Sequence, residues 1–381
     1  MRQKLGLIPA LAALLVVTGC SSLNPFAAKR LPPAELAKFT PSMNVKVNWT
    51  TGVGKSAEGA FSPAVDGNTV YVASESGKLA ALDQANGKQK WSVDLKTKLV
   101  AGVAVTGNLV AVVDSSRQLV GFDLSGKQLW KTNIGNDVTT KPVGVSGLIL
   151  VRTIDYSIAA YSSQSGGLVW KYTRQLPPLT LRSEAPLEIN NGRVYAGLPG
   201  GRLVGLDINT GQVLWEGLLA SPTGTTEIER ISDVTGAPVY NFREVCGATF
   251  QGRVGCLDAT TGRPLWSEDF SAPNGASVDD RYLITANELG DLFAFSRNGG
   301  KRAWKIENFE RRGPTTPVVV GRAVAIGDFE GYLHFIGRDD GRTLARLRIG
   351  STELSSKPVV TDSGLIFVQS RGGDVSALSI Q

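Results

Sequence analysis

The stretch Leu203-Val-Gly-Leu-Asp-Ile-Asn-Thr-Gly-Gln-Val-Leu-Trp215 recurs along the chain and leaves few architectures open. It joins an alternating apolar run to an Asp, a Thr-Gly turn and a Trp four residues beyond the Gly. The same frame stands at residues 79–91, 119–130, 158–170, 254–266 and 292–304. A seventh copy, at 333–345, has Ala345 in place of the Trp, and an eighth begins at Val375 and stops at Gln381. A repeat of roughly 40 residues built from short strands is the signature of radial or stacked units.

Each unit reads as four strands. A first segment carries Pro or a small residue, as in Ser62-Pro63-Ala64-Val65, and a Gly turn leads to a second strand at 70–73. A turn at Ser76-Gly77 opens the third strand at 79–82, and Asp83 with Asn86-Gly87 turns the chain into a fourth strand near Trp91. Alternating runs of four to six residues joined by Gly and Asn turns predict antiparallel sheets. Pro recurs in the first segment at Pro142, Pro186, Pro238, Pro317 and Pro358. A sheet tolerates Pro mainly at an edge, where no ladder donor is missed, and an innermost strand lining a central channel is such an edge. The Asp is expected to accept N–H bonds across its turn and the Gly to take a positive φ, while the Trp supplies packing between neighbouring sheets. Unit eight has only three strands, and an orphan strand ending in Trp49 precedes unit one. The reading is therefore an all-β, eight-bladed propeller of four-stranded antiparallel blades, the last closed by the N-terminal strand.

The ends of the chain suggest an address. Arg2 and Lys4 precede an apolar run too short to span a bilayer, which ends at Val17-Thr18-Gly19-Cys20. That is a secretory leader with the lipobox of a bacterial lipoprotein, and Cys20 is the lipidation candidate. Ser21 rather than Asp follows, so the expected location is the periplasmic face of the outer membrane. Pro25, Pro32, Pro33 and Pro41 mark a tether. The expected division is a signal peptide over 1–19, lipidated Cys and flexible tether over 20–43, and propeller over 44–381. The net charge of +6 comes without any basic run interleaved with aromatics, which argues against nucleic-acid binding. One His and three Cys leave little material for metal or nucleophile chemistry. His334 has no catalytic partner at a useful spacing, so neither a catalytic residue, a metal site nor a cofactor is expected.

The pattern breaks in two places, both between a fourth strand and the next first strand: residues 171–182 and 216–235. Connections of one kind emerge on one face, so these loops flank blade four, and long loops on a rigid scaffold carry function. Leu179, Leu181 and Arg182 in the first, with Glu227, Glu229, Arg230 and Asp233 in the second, form the candidate partner-binding set. Cys246 and Cys256 fall on adjacent strands of blade five. They align with Tyr71 and Ala81, which the turn is read as leaving one residue out of opposition, so buried free thiols are expected.

The frame Leu-x-x-Leu-Asp-x-x-Thr-Gly-x-x-x-Trp resembles that of eight-bladed quinoprotein propellers. Joined to the lipobox, it resembles the lipoprotein propeller family of the outer-membrane β-barrel assembly machinery. Its specific parts are Leu179-Thr-Leu-Arg182-Ser-Glu-Ala-Pro186, Gly224-Thr-Thr-Glu-Ile-Glu-Arg-Ile-Ser-Asp233 and Asp328-Phe-Glu-Gly-Tyr-Leu-His334. The resemblance implies a non-enzymatic scaffold, monomeric within a hetero-oligomer. It would dock on the periplasmic POTRA domains of BamA, alongside other components of the complex and unfolded outer-membrane proteins. It also implies a docking surface of a Leu-x-Leu-Arg loop and an Asp-x-Asp pair. Leu179, Leu181, Arg182 and Asp233 match, but Thr235 stands where the second Asp belongs, and Glu229 is a candidate for the missing charge. Two other readings remain: a pyrroloquinoline-quinone dehydrogenase, which would need a Ca²⁺ site and usually an adjacent Cys pair, and a lipoprotein bound to another envelope component.

Overall fold

The computed structural model describes residues 32–56, 61–181, 184–354 and 356–381. The leader, Cys20 and Arg182 lie outside the described residues. From Val45 onward the chain forms eight four-stranded antiparallel sheets. Seven are consecutive meanders, such as blade four with strands Glu188–Asn190, Arg193–Leu198, Arg202–Asp207 and Val213–Leu218. In the eighth, strands Val359–Val360, Ile366–Gln369 and Asp374–Ile380 are completed from outside by Val45–Gly52. That closing strand pairs from Val45 opposite Ile380 to Gly52 opposite Asp374, with a bulge between Val47 and Trp49. The expected propeller and its closure are both present.

The core is divided among the blade interfaces. One cluster joins blades three and four through Leu150, Ile158, Val194 and Leu206. Another joins blades eight and one through Trp49, Phe367, Val70 and Leu82, so the seam between chain ends is packed like any other interface. Most inner-strand prolines stand just ahead of their strand; Pro238 lies inside Val234–Asn241, where the register shifts.

The repeated sequence explains how blades adhere. Within one turn, Asp207 Oδ1 accepts from the Asn209 N–H (3.0 Å), the Thr210 N–H (2.9 Å) and the Thr210 hydroxyl (3.0 Å). The Trp of the preceding blade lies over this turn: Trp170 Nε1–H donates to the Ile208 carbonyl at 2.8 Å. Gly211, at φ +69°, gives the ring its room, because a Cβ there would stand 2.4 Å from Trp170. The same bond joins Trp91, Trp130, Trp215 and Trp304 to the next turn, Trp49 reads the turn of blade one through Gln84 (2.9 Å), and Trp266 packs on Gly300 without it.

The missing Trp follows from the same geometry. Ala345 faces blade eight, whose third and fourth strands are separate chain ends with no Asp-Gly turn to cover. Met43 shares the buried cluster with Ala345 and donates its N–H to the Leu344 carbonyl (3.2 Å). The tether's described end is bound to blade seven: Ala34 donates to the Glu310 carbonyl (3.0 Å), Arg346 to Ala37 (3.2 Å) and Arg322 to Ser42 (2.7 Å). Residues 34–43 thus lie against blade seven in the structure.

The cysteine expectation is corrected. Cys246 and Cys256 are directly opposed, as Tyr71 and Ala81 are in blade one, and they form a disulfide with Cα atoms 4.0 Å apart. The five-residue turn between Ala73 and Leu79 keeps the two strands in register rather than one residue out.

Candidate functional site

The two insertions meet through a buried carboxylate. Asp233, 1% exposed, accepts the Leu181 N–H on Oδ2 (2.7 Å) and the Gly200 N–H on Oδ1 (3.1 Å). Tyr156, on the turn between strands two and three of blade three, donates its hydroxyl to the Leu181 carbonyl, with Asp233 Oδ2 at 3.3 Å. Arg152, buried beneath, donates to the Ala185 and Gly197 carbonyls and stacks 4.6 Å from the Tyr156 ring centre. Burial lowers its pKa to about 10, so it stays cationic at neutrality, and burial pushes the Asp233 carboxyl up against the lowering pull of its hydrogen bonds and Arg152. Removing such a charge from water is costly unless paired and hydrogen-bonded. Arg152, Tyr156 and Asp233 meet that condition together. They form a clasp from blade three across blade four to the entry of blade five.

The clasp sorts the candidates. Asp233 is too buried to face a partner and instead holds the Leu181 backbone. Leu179 is 47% exposed, while Leu181 is half-buried. In the second loop, Thr226 and Glu229 form a reciprocal capping box: Glu229 Oε2 accepts the Thr226 N–H (3.0 Å), and the Thr226 hydroxyl accepts the Glu229 N–H (3.2 Å). The Thr225 N–H also donates to that carboxylate (2.8 Å), and these bonds lower the Glu229 pKa. Glu229 is thus occupied in shaping the turn. Arg230 donates to the Gly224 carbonyl (3.1 Å) and lies 3.7 Å from Glu227, both exposed. Thr235 is buried and donates to the Ala248 and Ala272 carbonyls, so it fastens the loop to blade five and supplies no charge.

Sequence reasoning passed over Ile228, which is 68% exposed at the crest of the capped turn. The available signal was Thr226-x-x-Glu229 with an Ile inside it, since a capped turn holds its middle residues outward. Beside this loop a cleft of about 640 Å³ runs past Leu218, Ser221, Gln251 and Arg253. The site so built is a partly apolar surface with charged edges, of the kind protein contacts use.

The third distinctive segment does different work. Asp328, fully buried, accepts from Arg312 Nε (2.9 Å) and lies 3.0 Å from His334 Nε2. Arg312 in turn donates to the Ala34 carbonyl (2.8 Å), so this cluster fixes the tether and accounts for His334. Among the described residues, one group has metal-type side chains in reach: Glu244, Cys246 and Cys256. Its two sulfurs are spent in the disulfide and Glu244 pairs with Arg297 (2.9 Å).

The chain as a whole is similar to known proteins. A family model described as outer membrane protein assembly factor BamB matches residues 44–124 and 75–306. BamB of Bordetella pertussis is 38% identical over 366 residues, spanning 96% of this chain and 94% of the relative. BamB of Escherichia coli is 29% identical over 391 residues, spanning 98% of each. The crystal structure of BamB from Moraxella catarrhalis superposes with a TM-score of 0.80 at 22% identity, over 88% of this chain and 100% of that one. A quinohemoprotein alcohol dehydrogenase from Comamonas testosteroni shares the fold, with a TM-score of 0.66 at 14% identity over 88% of this chain and 76% of that one.

Proposed function

The chain belongs to the BamB family of outer membrane protein assembly factors, and from that membership we propose that it is a non-enzymatic lipoprotein scaffold of the assembly complex. It is anchored through Cys20 to the periplasmic face of the outer membrane. It docks on the periplasmic POTRA domains of BamA through the loops flanking blade four, and so assists the folding and insertion of outer-membrane proteins. The observation that carries this reading is the clasp: a buried Arg152–Tyr156–Asp233 network ties together the two insertions that break the repeat. Leu179 and Ile228 are the anchors it presents, Glu227 and Arg230 supply charge beside them, and Arg182 belongs to the same loop.

The test is co-purification of BamA with the full lipoprotein carrying Leu179→Asp, Ile228→Asp or Arg182→Glu. Exposed apolar anchors at such sites are worth about 1–3 kcal/mol of binding, or roughly ten- to hundred-fold. We expect each variant to fold, lose BamA and lower porin levels in the outer membrane. Retention of BamA by all three would overturn the assignment of this surface.

A further inference from the structure

Five of the eight residues that stand ahead of an inner-strand proline, or its equivalent, line one cavity. Six blades place Gly, Ala, Ser or Thr there; blades three and eight place Lys141 and Lys357. Both lysines line a single cavity of about 640 Å³, together with Ser62, Ala237 and Thr316. They repel each other across it, and neither has a hydrogen-bond or ion-pair partner among the described residues. Ser356, next to Lys357 and lining the same cavity, has a buried hydroxyl with no partner among those residues. Half-buried Lys141, exposed Lys357 and the buried, orphaned Ser356 hydroxyl thus border one space, and a buried hydroxyl without a partner is costly to keep.

We propose that this channel binds a small dianion, a phosphate group or a dicarboxylate, held between the Lys141 and Lys357 ammonium groups. Charge-assisted hydrogen bonds to such an anion are about twice as strong as neutral ones, and binding would relieve the repulsion between the lysines. The carboxylates of the channel do not cancel this preference. Asp362 lies in the turn after Val359–Val360; Glu184, like Lys357, is exposed; and burial pushes the Glu188 carboxyl up to about 7 against the pull of Lys357, leaving it only partly charged at neutrality.

The experiment is calorimetric titration of the mature chain with inorganic phosphate, glycerol 3-phosphate and succinate in a non-coordinating buffer at low salt. We expect saturable 1:1 binding of at least one of them with Kd at or below about 1 mM. Tighter glycerol 3-phosphate identifies a phosphate ester, tighter phosphate the free ion, and tighter succinate a dicarboxylate. Lys141→Met and Lys357→Met should each weaken binding about tenfold or more, whereas Lys141→Arg should retain it. In the unmutated chain with ¹³Cε-labelled lysine, two resonances should move with the same saturation curve, a readout that holds even if a Met variant unfolds. No saturable binding of any of the three up to about 20 mM, or binding that moves no lysine resonance, would overturn the proposal.

Discussion

At the scale of single residues, charge burial separates function from scaffolding. Asp233 offers one carboxylate to Leu181, Gly200 and Tyr156, and Asp233→Asn replaces one acceptor oxygen with a donor. Leaving one or two buried donors unmatched costs about 1–3 kcal/mol. We expect a folded propeller with a lower melting temperature, faster amide exchange at residues 176–181 and weaker BamA capture. Unchanged exchange at Leu181 would show that the clasp does not hold the loop. Lys141 gives the opposite sign. Its pKa falls from 10.5 to about 8, first through burial and then through Lys357. The folded state therefore binds fewer protons than the unfolded state between those values, and stability contributed at this site rises with pH across that window. Lys141→Met should raise the melting temperature at pH 7, by an increment that shrinks towards pH 10. Lys357, Glu184 and Asp362 line the same cavity and Glu188 acts on Lys357, so the control is the same titration on Lys357→Met.

At the scale of elements, the unit of cohesion is a Trp on one blade with an Asp-Gly turn on the next. Two glycines in blade four isolate its value. Gly211 and Gly192 both have φ +69°, but a Cβ at Gly192 meets nothing within 4 Å, whereas one at Gly211 meets Trp170 at 2.4 Å. Each change to Ala costs about 1–2 kcal/mol for the left-handed backbone. Gly211→Ala should cost about 1–3 kcal/mol more for overpacking, measured by denaturant unfolding. Equal losses would deny the Trp contact its role. Ala345→Trp makes a related point: it restores the repeat but meets Met43 and the tether, so it should destabilise the chain. The blades were legible in sequence because strand alternation and turn residues repeat with the same local physics each time. The clasp was not, because Arg152, Tyr156 and Asp233 come from separate blades, and an Asp in a polar loop looks the same whether it ends up in solvent or beneath it. The disulfide was missed by one residue of turn length, which in a strand moves a side chain to the other face of the sheet.

At the scale of the whole molecule, the ring is shut by the strand Val45–Gly52, whose ladder to Asp374–Ile380 is the connection between the two ends of the sequence. Removing residues 41–50 exposes an edge and opens the interface holding Trp49 and Phe367. Such a truncation should lower the melting temperature far more than any single substitution above, and a truncated domain melting like the full chain would refute closure. The path of residues 34–43 bears on what happens under load. A pull arriving from upstream meets the contacts of Ala34, Ala37 and Ser42 with Arg312, Arg346 and Arg322 on blade seven before it reaches the closing strand. The tether works as strain relief. In a force-extension experiment, the chain pulled from its N-terminus should release these contacts as a small early step, and only then should the ring unzip.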